Sequence, residues 1–153
     1  MSVKSELQSA LTTAMKARDT VALSALRQAL SAITVAETAG DEVVELDDAQ
    51  VVAVLAVEVR KHHESGDAFA TAGRPDQVGR CRAEAAVLEA YLPAALTDDE
   101  IAAIVTEEVA AAAADGATGM KAMGRVVNAV RARAGTGADG AKIAALVKSA
   151  LAG

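Results

Sequence analysis

Three side chains near the middle of the sequence, His62, His63 and Cys81, are of the types that supply a general base and a nucleophile. Arg80 and Arg82 flank the cysteine, and cations beside a thiol favour its thiolate. The spacing does not complete a catalytic set. Both histidines fall in a polar run, Arg60-Lys61-His62-His63-Glu64-Ser65, which predicts an exposed, charged turn of chain. Neither a partner acid nor an oxyanion-hole signature accompanies them. Adjacent residues on a helix point about 100° apart, so the two imidazoles do not converge on one metal ion. Surface and packing roles are the expected ones, and no catalytic residue, metal or cofactor is predicted.

A second stretch offers anion chemistry. Gly135-Thr136-Gly137-Ala138-Asp139-Gly140 is a flexible turn running into a helix start, where free backbone N–H groups can hold a phosphate. It lacks the Lys-Ser/Thr ending of a P-loop and the preceding strand of a dinucleotide fold. Asp139 reads as the helix cap, and its carboxylate would compete with a bound anion. The basic residues around this turn, Lys121, Arg125, Arg131, Arg133 and Lys142, form the candidate RNA-binding set. Residues 119–153 carry six Lys and Arg against one acid, a net charge of +5, whereas residues 1–118 carry nine against twenty, a net charge of −11. A basic end of this kind suits a polyanion. Phosphate contacts would make binding salt-sensitive and only weakly sequence-specific. Residues 97–153 contain no aromatic side chain on which a base could stack, so recognition would be of backbone and shape.

The elements that must position these groups are helices. More than half of the 153 residues are hydrophobic, but nearly all of these are Ala, Val and Leu; there is one Phe (Phe69), one Tyr (Tyr91) and no Trp. Ala and Leu are strong helix formers, and hairpin-turn signals are missing, so the class is all-α. The stretch Leu88–Ile101 divides the chain. Pro93 ends an incoming helix near Leu92, and Thr97-Asp98-Asp99-Glu100 has the form of a capping box that starts the next. Tyr91, Pro93, Thr97 and Glu100 are therefore the candidate structural hinge between a domain over 1–93, of about four helices, and a three-helix module over 97–153.

Within the first domain, Leu7, Leu11, Ala14 and Met15 mark one apolar helical face. Asp19 caps a second helix ending near Thr38, Asp47 or Asp48 caps a third, and Pro75 opens a fourth. In the module, Ile101, Ile104, Val105 and Val109 mark the first helix. The second is expected from about Gly119 to Arg133, and the third carries Ile143, Leu146, Val147 and Leu151. The single Cys81 excludes an internal disulfide. The N-terminal residues lack a signal-peptide core, and no apolar run reaches the roughly 18 residues of a membrane span, so a cytoplasmic location is expected.

The chain resembles the GatB/YqeY family. The residues that carry this are Lys16-Ala17-Arg18-Asp19 with Arg27, Arg60-Lys61 through Ser65 and Phe69, and Leu88-Glu89-x-Tyr91-Leu92-Pro93-x-x-Leu96 followed by Asp99-Glu100-Ile101. Further on, Met123-Gly124-Arg125-Val126 and Ala138-Asp139-Gly140 ahead of Leu146-Val147 continue it. Val127-Asn128, where relatives often have a second Met-Gly, and Ala132, where they often have Pro, depart from the pattern. The resemblance implies that the C-terminal module is similar to the tail of the B subunit of the tRNA-dependent amidotransferase, a glutamine-dependent carbon–nitrogen ligase. It implies a tRNA-binding accessory, with tRNA rather than DNA as ligand and an amidotransferase or aminoacyl-tRNA enzyme as protein partner. The competing reading is a helical protein–protein adaptor without catalytic activity. Apolar residues on the outside of the 97–118 helix would favour the adaptor; convergence of Arg125, Arg131, Arg133 and Lys142 would favour RNA. A free-standing ligase would need a nucleotide site and a nucleophile that the sequence does not offer.

Overall fold

A computed structural model describes residues 1–135 and 138–153. The predicted flexible turn at Gly135–Ala138 therefore has two residues, Thr136 and Gly137, outside the described part. The described residues form seven α-helices and one 3-10 turn with no strand, an all-α protein. They divide into two compact units, Met1–Leu92 and Pro93–Gly153.

The first unit contains α1 (Val3–Ala17), α2 (Thr20–Glu37), α3 (Asp48–Thr71) and α4 (Pro75–Glu89). Its helix ends are written locally. Asp19 accepts from Ala22 N and starts α2 two residues after α1 stops, while Arg18 takes the left-handed conformation (φ 55°) that reverses the chain. Asp47 and Gln50 form a reciprocal capping box at the start of α3. Leu7, Leu26, Ile33, Val51, Leu55 and Leu88, one or two from each helix, close the core with Ala25, Ala29 and Ala85 between them. The small alanines let the helices approach, and the larger side chains supply the buried apolar area.

One buried carboxylate fixes the loop between α2 and α3. Glu37 accepts from Lys4 Nζ at 2.8 and 3.0 Å and from Leu46 N at 3.2 Å, and its backbone carbonyl accepts from Val44 N at 2.9 Å. These bonds hold its carboxyl below the ordinary carboxylate range, the Lys4 hydrogen bond contributing most and the Leu46 N–H next. Val43 and Val44 stay exposed. At the other end of the unit α4 stops at Glu89, and two bonds of the tighter i−3 kind, Tyr91 N to Leu88 O and Leu92 N to Glu89 O, carry the chain on to Pro93.

The second unit contains α5 (Asp98–Ala114), the 3-10 turn Gly119–Ala122, α6 (Met123–Ala134) and α7 (Gly140–Ala152). Ile101, Val105, Val126, Val130, Ile143 and Val147 form its core. Each of the three helices packs on the other two. Thr97 caps α5 by accepting from Glu100 N at 3.1 Å. The expected reciprocal bond from the Glu100 side chain is not among the hydrogen bonds of the described residues, so this is a one-sided cap; the two-sided box is at Asp47–Gln50. The single helix expected from Gly119 to Arg133 is divided, because Gly119 (φ 65°) and the 3-10 turn precede the regular helix at Met123.

Candidate functional sites

In the second unit, Lys121 lies in the 3-10 turn, Arg125, Arg131 and Arg133 project from α6, and Lys142 lies in the first turn of α7. All five are exposed. Three are tied to carboxylates of α5. Arg125 donates to Asp115 at the C-terminal cap of α5, and Lys142 donates to Asp98 in its first turn. Arg133 reaches Glu107 at 2.7 Å and Glu108 at 3.1 Å. Hydrogen bonds from Arg133 to these two glutamates, Glu107 first, raise its pKa and keep it charged. Neither Lys121 nor Arg131 has an ion pair among the described residues. Arg131 instead lies against the start of α7: a Cβ added at Gly140 would sit 2.8 Å from its terminal nitrogen, so a larger residue there would push the end of this side chain aside. Asp139 accepts from Ala141 N at 3.0 Å and caps α7.

This arrangement changes the meaning of the sequence charges. The basic residues 119–153 share their unit with α5, and Pro93–Gly153 as a whole carries six Lys and Arg against seven Asp and Glu, a net charge of −1. The cations face acids of their own fold. The apolar alternative is absent from this helix as well: none of the exposed large apolar side chains among the described residues belongs to α5.

The histidines occupy a different environment from the one their sequence neighbours suggest. They lie in the body of α3, and His62 is buried, 7% exposed, opposite the equally buried Glu84 of α4. The reason is pairing: α3 and α4 run antiparallel, so the polar run packs against a second polar helix face. His62 Nδ1 is 3.3 Å from Glu84 Oε2, and Arg80 Nε donates to the other Glu84 oxygen at 3.0 Å. His62 Nε2 is buried with no hydrogen-bond partner among the described residues.

His63 turns to the adjoining side. Arg82 donates to its Nδ1 at 2.8 Å and to its backbone carbonyl at 3.0 Å. A guanidinium only donates, so Nδ1 is the acceptor and the ring proton sits on Nε2, which donates to Glu89 at 2.6 Å. Arg82 also binds Asp67, and Gly66 leaves it room: a Cβ there would come within 3.1 Å of the guanidinium carbon and oblige it to shift. Both flanking arginines of Cys81 are thus committed to other groups, and the cysteine is a free, partly exposed thiol. The acids that pair with the histidines escaped the sequence reading because they lie 22 and 26 residues away, and only the helix register brings them opposite.

Tyr91, one residue before the end of the first unit, belongs to an open groove of about 420 Å³ within that unit. Ala10, Ala14, Ala17, Ala22, Leu26 and Val87 line it with Thr13 and Asp19. Burial first, then the charge of Glu6, pushes the Tyr91 hydroxyl up from its ordinary value. Pro93 opens the second unit, and Thr97 and Glu100 belong to the α5 start. The described residues contain no group of three or more His, Cys, Asp or Glu suited to a metal ion, and no described helix is long and apolar enough to cross a membrane.

No curated protein matches the sequence. The family model for Yqey-like proteins does match, over residues 4–151, and so takes in both the histidine-bearing helix pair and the α5–α7 unit with its paired cations; the chain belongs to the YqeY-like family.

Proposed function

We propose that this protein is a tRNA-binding accessory of glutamine-dependent amidation or of translation, acting through the α5–α7 unit, with amide transfer itself carried by a partner enzyme. The observation that supports this most is the exposure of Lys121, Arg125, Arg131, Arg133 and Lys142 on α6, its 3-10 lead-in and α7. Two of these cations have no carboxylate partner among the described residues, and the other three have partners that a phosphate oxygen can replace. The resemblance of the C-terminal segments to the amidotransferase B-subunit tail supports tRNA as the polyanion, and an amidotransferase or aminoacyl-tRNA enzyme as the protein it works beside; this part is analogy.

The test is binding of bulk tRNA to the full chain as salt is raised from about 50 to about 200 mM, followed by fluorescence anisotropy. Engagement of three to five phosphates gives a log–log slope of about −2 to −4, and Arg131→Ala flattens it by about 0.7–0.9. Absence of binding at the lowest salt overturns the proposal. The adaptor reading would then take its place. What favours that reading is the groove at Tyr91, whose alanine walls leave space for a bulky side chain from another protein. Tyr91→Ala would weaken capture of such a partner and leave tRNA binding unchanged.

A further inference from the structure

Helix α5 carries acids at both ends and in its middle, and four of them meet the candidate RNA-binding cations. Asp98 holds Lys142, Glu107 and Glu108 hold Arg133, and Asp115 holds Arg125. From Asp98 to Asp115 the helix advances about 25 Å, so the paired carboxylates are spread along its whole length, Asp98 toward α7 and the others toward α6. The placement of Asp115 is informative. It caps the C-terminal end of α5, where the helix dipole disfavours a negative charge, and the last turn carries no basic residue of its own; Arg125 supplies the compensation from α6.

We infer that α5 is a built-in competitor for polyanions: its carboxylates occupy Arg125, Arg133 and Lys142 in the free protein, and RNA phosphates must displace them to bind. This rests on the RNA-binding reading above and adds a regulatory element to the same surface. The strongest hold is on Arg133, which alone has two carboxylates, one of them on the mostly buried Glu108 side chain, 21% exposed. Lys121 and Arg131 make first contact, and the paired cations exchange partners as further phosphates arrive. One anion replaces one carboxylate with little net gain, whereas a polyanion gains additionally from releasing its condensed counterions. The unit therefore favours extended phosphate backbones over single phosphate groups.

The decisive variant is Glu107→Gln/Glu108→Gln in the full chain, assayed with bulk tRNA beside the control Asp99→Asn/Glu100→Gln. The control removes the same charge from the same helix but from acids that hold no cation among the described ion pairs. Freeing Arg133 is expected to tighten binding about three- to ten-fold at about 50 mM salt and to steepen the salt slope by about 0.7–0.9. Adding Arg133→Ala to the Gln pair should cancel both changes. Equal tightening in the control and the Gln pair would show only the effect of net charge and overturn the inference. Binding by the wild type with no change in the Gln pair would overturn it while leaving the RNA-binding reading in place. Failure of every variant to bind would overturn both. Asp115→Asn, which releases Arg125, provides a second reading of the same exchange at the far end of α5.

Discussion

The two units use opposite charges in opposite ways. Between α3 and α4 one ion pair is interior: His62 and Glu84 are almost fully enclosed, whereas Arg82, half-exposed, passes over Gly66 to reach His63 and Asp67 at the rim of the helix pair. Along α5 the ion pairs stand at the surface, with both partners open to water in most of them. Desolvated partners cannot be removed one at a time without stranding the other, whereas exposed partners are readily re-solvated. The first arrangement locks helix register, and the second leaves its cations exchangeable. The same residue types therefore act as structure in one unit and as a candidate interface in the other.

The contrast breaks most visibly at Glu84. Replacing it with alanine leaves buried His62 with neither ring nitrogen paired, and a loss of about 3 kcal/mol is expected in urea unfolding of the full chain. Arg80 is largely exposed and turns to solvent at little cost. Next comes Gly66→Val. Its Cβ alone would meet the Arg82 guanidinium at 3.1–3.2 Å, and the two γ-carbons add to that crowding. Displacing Arg82 from His63 and Asp67 should cost about 2 kcal/mol, read from the same unfolding curves. If Gly66→Val were as stable as the wild type, the bonds Arg82 makes to His63 and Asp67 would be as dispensable as the ion pairs of α5.

The Lys4–Glu37 pair sharpens the same distinction through pH. The folded protein holds the Glu37 carboxyl below its ordinary value of 4.5, so folding favours the ionised form. That stabilisation is fully present above the unfolded value and is lost as pH falls through the lower folded value. Urea midpoints measured from neutral pH downward should show the wild type more stable than Glu37→Gln above about pH 5, with the difference shrinking in acid. A difference that stays constant with pH would mean that ionisation of Glu37 contributes nothing to the fold.

What could be read in the sequence was what is local. Asp19, Thr97 and Asp139 announce helix starts by side-chain chemistry within three residues of the backbone they cap. The all-α class follows from an interior made almost wholly of Ala, Val and Leu. The environment of the histidines could not be read in the same way, because His62 and Glu84 meet only through the register of two antiparallel helices. The charge asymmetry misled for a related reason. A division at residue 118 separates the acids of α5 from the cations they pair with, though all of them belong to Pro93–Gly153. Sequence distance measured charge along the chain, whereas the fold measures it across helices.

The smallest expected effect on stability is the most useful discriminator. Arg133→Ala removes an exposed group from two carboxylates that water can solvate in its place, so the urea midpoint should stay where it is in the wild type. In the wild-type background its effect on RNA binding should also be modest, because a phosphate gains Arg133 only by displacing the two α5 carboxylates. In the Glu107→Gln/Glu108→Gln background the same substitution should remove about 0.7–0.9 from the salt slope. A residue whose loss is silent in one background and costly in the other is one whose partner can be exchanged. Arg82 should behave differently: with Gly66 and His63 in place, its removal should lower stability whatever the state of α5, since the contacts it makes all lie within the α3–α4 pair.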